Sequence, residues 1–348
     1  MTTPPALSPS WIDGHLDLAW AGLERGHLDG PPPAGAAVSW ASLEAGGIDT
    51  AFATIFTEMD GPPSDPASYA AGDAAGAEAA GRRQLDWYLD QERRGRIGIV
   101  RSIDDLERRE GLQVVLLMEC ADPIRSPEDA AWWVARGVRL VGMSWGRGSR
   151  YAGGNATPGP LTASGRELVS TLDDLGVGHD ASHLSRASFD DLLERSTGPV
   201  CATHSNAAAL IGDDPRHLLD DQIRAIGDRD GIVGLNLFGR FLAKDRRATL
   251  ADCLDHVEHA ASIIGRHRLA LGSDADGGFG SDELPVELER LDHLDRLAKG
   301  LRDRGWSTDE VDGFRRGNWL RWLRGLDAFS AGSAVTTTTI TTTPENEE

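Results

Sequence analysis

The stretch GVGHDASHLSRASFDDLLERSTGPVCATH, residues 176–204, decides the fold. It opens on a short apolar run, Gly176–His183, and closes on another, Pro199–His204. Between them, Ser185 precedes Phe189-Asp190-Asp191-Leu192-Leu193, a helix start with a hydroxyl cap and apolar residues at helical spacing. Strand, helix, strand within 29 residues is the unit of a parallel sheet.

The same rhythm extends in both directions. Further apolar runs are Trp11–Asp17, Ile48–Phe56, Gln113–Glu119, Val138–Trp145, Gly231–Leu237 and Arg268–Asp274, which with the first two make eight. Each is short and bounded by Gly, Pro or charged residues, as strands buried on both faces are. The predicted helices are Ala67–Gln91, Ser102–Glu110, Pro127–Arg136, Ala163–Leu175, Ser185–Arg195, Asp220–Arg229, Leu250–Gly265 and Ser307–Leu323. Eight strand–helix units predict an α/β fold of the closed (β/α)8, or TIM, barrel type. The reading divides the chain into an extension (1–10), the barrel (11–325) and a Thr-rich acidic disordered tail (326–348). The loop Asp60–Asp73, with three prolines, is expected to overhang the barrel top as a lid. Neither a G-x-G-x-x-G after the first strand nor a G-x-x-x-x-G-K-[ST] is present, so a dinucleotide or P-loop site is not expected.

The 348 residues carry 35 Lys and Arg against 55 Asp and Glu, and 35 − 55 gives −20. That charge argues against nucleic acid or an anionic membrane as partner and favours a cation-attracting soluble protein. No apolar stretch reaches the length of a membrane span, and no signal peptide is read in residues 1–10. Cys120, Cys201 and Cys253 match no disulfide or zinc-ribbon spacing and read as small buried hydrophobes. These features predict a cytoplasmic protein, with a homodimer left open.

Barrel chemistry sits at the C-terminal ends of strands. Those ends carry His15 and Asp17, Glu119, His183, His204 and Asp274. Residues i and i+2 of a strand share a face, so His15 and Asp17 enter the mouth together. Each polar group alone has an ordinary core explanation. Together they do not, because burying them without a cation costs several kcal/mol. A carboxylate has two oxygens, so Glu119 can bridge: His15, Asp17 and one oxygen for one metal, and the other oxygen with His183 and His204 for a second. His27, His217, His256, His259, His267 and His293 read as surface residues, and His179 as a core histidine.

The segments Asp13-Gly14-His15-Leu16-Asp17-Leu18, Met118-Glu119, Asp180-Ala181-Ser182-His183-Leu184-Ser185, Pro199–Ala207 and Gly272-Ser273-Asp274-Ala275-Asp276-Gly277 resemble, in order, those of the renal or membrane dipeptidase family, within the amidohydrolase-like barrels. The resemblance covers about residues 11–325. It implies a (β/α)8 barrel, two Zn2+ per chain and hydrolysis of dipeptides, including those with a C-terminal D-residue. It implies His15, Asp17, Glu119, His183 and His204 as zinc ligands, and Asp274 beside Glu119 in the catalytic set as the proton carrier. Arg216 is implied near the substrate carboxylate, one residue further from His204 than the family spacing. Other divalent transition metals suit the same ligands. Trp145 stands where the peptidases carry a substrate-contacting histidine, and Leu16 where they carry asparagine. With Trp145, an amidase or lactonase acting on a non-peptide amide or ester is the alternative; a catalytically silent scaffold barrel is the other.

Overall fold

The computed structural model describes residues 10–107 and 111–330. Eleven strands are present among them: β1 Trp11–Leu16, β2 Ile48–Phe56, β3 Glu58–Met59, β4 Ser68–Tyr69, β5 Ile97–Ile99, β6 Leu112–Glu119, β7 Val138–Gly142, β8 Gly178–Asp180, β9 Val200–Cys201, β10 Val233–Leu235 and β11 Leu269–Leu271. The eight expected strands run in the order β10-β11-β1-β2-β6-β7-β8-β9, all parallel. A parallel bridge between Ala202 and Val233 joins β9 to β10 and closes the barrel. It rests on Ala202 N–H to Ile232 O at 2.9 Å and Gly234 N–H to Ala202 O at 2.8 Å. The short β5 pairs with the start of β6, below the point where β7 takes over that edge.

The pleat sorts the core into two layers. Ile12, Phe52, Val115, Leu117, Leu140, Cys201, Ile232 and Ala270 fill the barrel interior with Trp319 and Trp322. Alternate residues, such as Trp11, Ala51, Ala53, Val114 and Leu116, pack outward under the helices. All three cysteines are buried free thiols. No helix among the described residues is long and apolar enough to cross a membrane.

Several elements differ from the sequence reading. The helix expected from Ala67 runs Ala74–Arg93, because Ser68–Tyr69 pairs with Glu58–Met59 and Asp73 caps the helix by accepting from Gly76 N–H. Leu18–Arg25 and Leu294–Asp303 are additional helices. Ser307–Leu323 is interrupted by a π turn at Gly313–Gly317. Of Ser102–Glu110, Ile103–Glu107 is helical and 108–110 lie outside the described residues. Residues 326–329, expected in the tail, pack on the barrel: Leu326 and Phe329 are buried, and Ala328 N–H bonds Gly176 O at 3.0 Å. Residues 1–9 and 331–348 lie outside the described residues.

The loop after β3 is fastened over the barrel mouth. Trp20 Nε1–H donates to Asp65 at 3.0 Å, and Arg147 donates to the carbonyls of Met59 and Asp60 at 3.2 and 2.6 Å.

Two histidines read as surface residues are buried, His217 at 3 % and His256 at 4 % exposure. His256 accepts from Ala207 N–H at 3.2 Å, and His217 meets the Phe241 ring edge-on at 5.2 Å. Burial pushes His256 down to about 4, and burial together with neighbouring Arg216 pushes His217 to about 3. The unfolded chain protonates these groups near 6.5, so it binds more protons than the fold below that pH. Their contribution to stability is complete above about pH 6.5 and is lost as pH falls towards 4. The variant His256→Gln should therefore lose less stability than the parent over that window, by about 3 kcal/mol at its acid end. Parallel pH–melting curves check this, and identical slopes contradict it.

Candidate metal centre

Strict alternation along β1 would send His15 and Asp17 outward, since Ile12 points in. The register between β1 and β2 shifts between Asp13 and Leu16, and Leu16 joins the outer layer. That irregularity turns His15 and Asp17 into the mouth. The Asp13 carboxylate holds it by accepting His15 N–H at 3.1 Å, Ser273 N–H at 2.8 Å and the Ser273 hydroxyl. Thr54 Oγ1–H donates to Asp17. Other site residues leave their strands through left-handed backbone: Cys120 after Glu119 (φ 72°), His183 (φ 65°) and Asp274 (φ 59°). Such conformations are uncommon for non-glycine residues and gather at functional sites.

The groups converge on Glu119, itself 4 % exposed. Glu119 Oε2 lies 3.3 Å from His15 Nε2, which is 4.0 Å from both Asp17 Oδ1 and Asp274 Oδ1. Glu119 Oε1 lies 3.0 Å from His183 Nε2 and 3.6 Å from His204 Nε2. His183 Nε2 and His204 Nε2 are 2.9 Å apart. Three sets of donor atoms within 4.8 Å of one another follow: His15, Asp17 and Glu119; Glu119, His183 and His204; His15, His204 and Asp274.

The ring nitrogens show that a cation fits. Thr203 Oγ1–H donates to Asp180 Oδ2 at 2.5 Å, so its oxygen can only accept from His204 Nδ1 at 2.9 Å. His183 Nδ1 meets Asn155 Oδ1 at 3.2 Å. With both Nδ1 atoms donating, two Nε2 lone pairs face each other and a carboxylate oxygen. A positive charge at that point resolves the repulsion. Charge balance agrees. Burial would lower His15, but Glu119, Asp17 and Asp274 raise it to about 10. Burial raises Asp274 to about 6, with Glu119 adding and His15 and Arg216 opposing. Burial pushes Asp17 up as well. Protein groups alone thus balance three clustered carboxylates by protonation, which bound cations make unnecessary.

A cavity of about 650 Å3 opens over the centre, lined by Asp17, Glu119, His183 and Asp274 among others. Trp145 is in its wall, 5.3 Å from the Phe56 ring and 5.8 Å from that of His183. Arg216 is buried, donating to Ser205 Oγ at 3.0 Å and His204 O at 2.7 Å, with its guanidinium 5.3 Å from the Phe241 ring. His179 is not aimed into the mouth; it bonds Asp173 at 2.7 Å on the helix Ala163–Asp174. Sequence reasoning missed Asp13, Asn155, Asp180, Thr203 and Asn236. Asn236 Nδ2–H donates to Asp274 Oδ2 at 2.9 Å. For Asp13, Asp180 and Thr203 the signal was adjacency, since each lies within three residues of a site residue at a strand end; Asn155 and Asn236 carried no such signal.

Fold and site together define a metal-dependent hydrolase barrel. The family model described as membrane dipeptidase (peptidase family M19) matches residues 8–335. The chain belongs to that family, a class of metallo-dipeptidase hydrolases. It is 36 % identical over 243 residues to an uncharacterized Klebsiella pneumoniae protein from the pqqA 5' region, covering 65 % of this chain and 88 % of that one. It is 32 % identical over 191 residues to the dipeptidase aclJ of Aspergillus oryzae, covering 53 % of this chain and 44 % of that protein. The chain thus spans under half the length of that curated dipeptidase. Among solved structures, the dipeptidase AC of family M19 superposes with a TM-score of 0.81 at 25 % identity, covering 91 % of this chain and 98 % of that one. A Rhodobacter sphaeroides metallopeptidase bound to a phosphinate mimic of L-Ala-D-Ala gives 0.80 at 25 % identity, with 91 % and 99 % covered.

Removing the Asp13 carboxylate leaves two buried N–H groups and a hydroxyl without their acceptor. Asp13→Ala should therefore destabilise the fold by roughly 3–5 kcal/mol. Denaturant unfolding measures it; a change below about 1 kcal/mol would mean that the irregularity in β1 does not depend on Asp13.

Proposed function

We propose that this chain is a two-metal dipeptidase that hydrolyses the amide bond of dipeptides. The observation that carries it is the split carboxylate of Glu119, one oxygen facing His15 and the other facing His183 and His204. His15, Asp17 and Glu119 would hold one ion; Glu119, His183 and His204 would hold the other. Imidazole and carboxylate donors suit Zn2+, and manganese or cobalt could serve in its place. Bound there, the ions supply Lewis acidity to the scissile carbonyl and to the attacking water.

The chain's own residues supply the rest. Asp274 is held at one oxygen by Asn236, while the other faces the centre. It takes a proton from the attacking water and delivers it to the leaving amine nitrogen. Arg216 is the cation for the substrate's C-terminal carboxylate, since its buried Nε–H has no hydrogen-bond partner among the described residues. Trp145 donates through one N–H and cannot shuttle protons, so it serves as an apolar wall. Trp20, Phe56, Phe238, Phe241 and Phe279 extend that wall, while Glu24, Glu58, Asp65 and Glu283 also line the cavity. That lining favours dipeptides with bulky apolar side chains over acidic ones. The phosphinate mimic in the related Rhodobacter sphaeroides metallopeptidase supports a D-residue at the C-terminal position. The three free thiols support a reducing, cytoplasmic setting.

Elemental analysis after metal supplementation should find two divalent ions per chain. In Glu119→Gln an amide replaces two anionic oxygens, so metal and activity should be lost together. Full occupancy with unchanged turnover in that variant rules out the bridge. Asp274→Asn should keep both ions and near-normal substrate binding, while kcat falls about 10²–10⁴-fold. Near-parental kcat rejects the proton-transfer role, and lost metal places Asp274 among the ligands.

A further inference from the structure

Asp180, at the end of β8, accepts three hydrogen bonds. Oδ1 takes Ser182 N–H at 3.0 Å and Thr203 N–H at 2.9 Å, and Oδ2 takes the Thr203 hydroxyl at 2.5 Å. The hydroxyl proton of Thr203 is thereby committed, and only its lone pairs remain. They face His204 Nδ1 at 2.9 Å and, at the outer limit of a hydrogen bond, His15 Nδ1 at 3.5 Å. The two imidazoles lie stacked, with centroids 3.6 Å apart and planes 27° from parallel. An oxygen that can only accept requires Nδ1–H on the ring that meets it, and a neutral ring then carries its lone pair on Nε2, the nitrogen turned towards Glu119.

The position of Thr203 is fixed as tightly as its proton. Gly234 and Gly272 flank it on β10 and just past β11. A Cβ at either would stand 1.9 or 1.8 Å from the Thr203 carbonyl oxygen. Thr203 is fully buried.

We propose that Thr203, oriented by Asp180, is the positioning residue that sets the tautomer of one histidine ligand in each half of the metal centre. It acts on His15 in the first half and on His204 in the second, more strongly on His204, whose contact is shorter. The role rests on the two-metal assignment above. If Thr203 only donated to Asp180 and helped close the barrel, valine would lower the melting temperature of the metal-free form but leave the histidine tautomers unchanged.

The test uses the full chain, stripped with a chelator and titrated with Zn2+ against a chromophoric competitor. The parent protein, Thr203→Val, Thr203→Ser and Asp180→Asn are compared, with the melting temperature of each metal-free form. Thr203→Val is expected to weaken Zn2+ binding by about 10–100-fold, most at one of the two steps, and Thr203→Ser to stay close to the parent. Asp180→Asn is the second variant should Thr203→Val not fold. Its amide can donate to Thr203 Oγ1 and free the hydroxyl to donate to His204, which moves the ring proton to Nε2. Its Zn2+ affinity is expected to fall in the same range, and 15N shifts of the histidine rings should report the exchanged tautomer. Parental affinity in a folded Thr203→Val or Asp180→Asn overturns the role of Thr203. Fewer than two Zn2+ in the parent protein is a different failure: it overturns the two-metal assignment and the inference with it.

Discussion

The structure turns on one buried carboxylate. Glu119 ends the longest run of interior strand pairing, and both its oxygens are met by imidazole nitrogens. Burial would normally drive such a group to its neutral form, yet His15 and His183 hold it well below the usual carboxylate range. An anion kept ionised in that position must have positive charge on both sides. Every other group at the mouth can be understood from this requirement. The histidines present Nε2, Asp17 and Asp274 add negative charge on one side, and Arg216 adds buried positive charge nearby.

The barrel supplies the rigidity that such a concentration of charge needs. Two seams use the same device. At the β1–β11 seam, Asp13 accepts the N–H two residues on, and the N–H and hydroxyl of Ser273. At the β8–β9 seam, Asp180 accepts from Ser182 two residues on, and from the N–H and hydroxyl of Thr203. In both places a carboxylate ends the regular ladder and satisfies the amides that the turn would orphan. The turn then releases a histidine, His15 in one case and His183 in the other. The acids that look redundant beside the ligands are what allow the backbone to leave the strand at that angle.

The strand–helix rhythm was legible because buried parallel strands leave continuous apolar runs, and their polar ends stand out against them. That the polar strand ends would cluster at one mouth followed from the fold. What escaped depended on contacts distant in sequence. The irregularity at Asp13–Leu16 is held by Ser273, 260 residues away. The pairing of β3 with β4 displaces a helix start that composition alone placed at Ala67. Leu294–Asp303 has no side-chain cap and contains Gly300, so it lacks the punctuation that marked other helices. His217 and His256 were misread because a neutral imidazole can occupy a core as a small polar wedge, which periodicity does not reveal.

Trp145 narrows the chemistry further. With an indole at the end of the β7 turn, no imidazole stands there to share the handling of protons. Of the carboxylates lining the cavity, Glu24 lies on the helix Leu18–Arg25, Glu58 on β3, Asp65 in the loop after it and Glu283 at the end of the short turn Ser281–Glu283. Two of them are engaged with arginines, Glu58 with Arg147 and Glu283 with Arg240. Asp17, Glu119 and His183 are assigned to the two ions in the proposed function, whereas Asp274, though in donor reach of His15 and His204, is not. Asp274 remains, one oxygen anchored by Asn236 and the other directed at the centre, on a left-handed backbone turn that fixes its reach. The proposed proton transfer by Asp274 depends on where its free oxygen points. Asn236, just past β10, sets that direction: its side-chain carbonyl accepts from Phe238 N–H at 2.6 Å, and its amide donates to Asp274 at 2.9 Å.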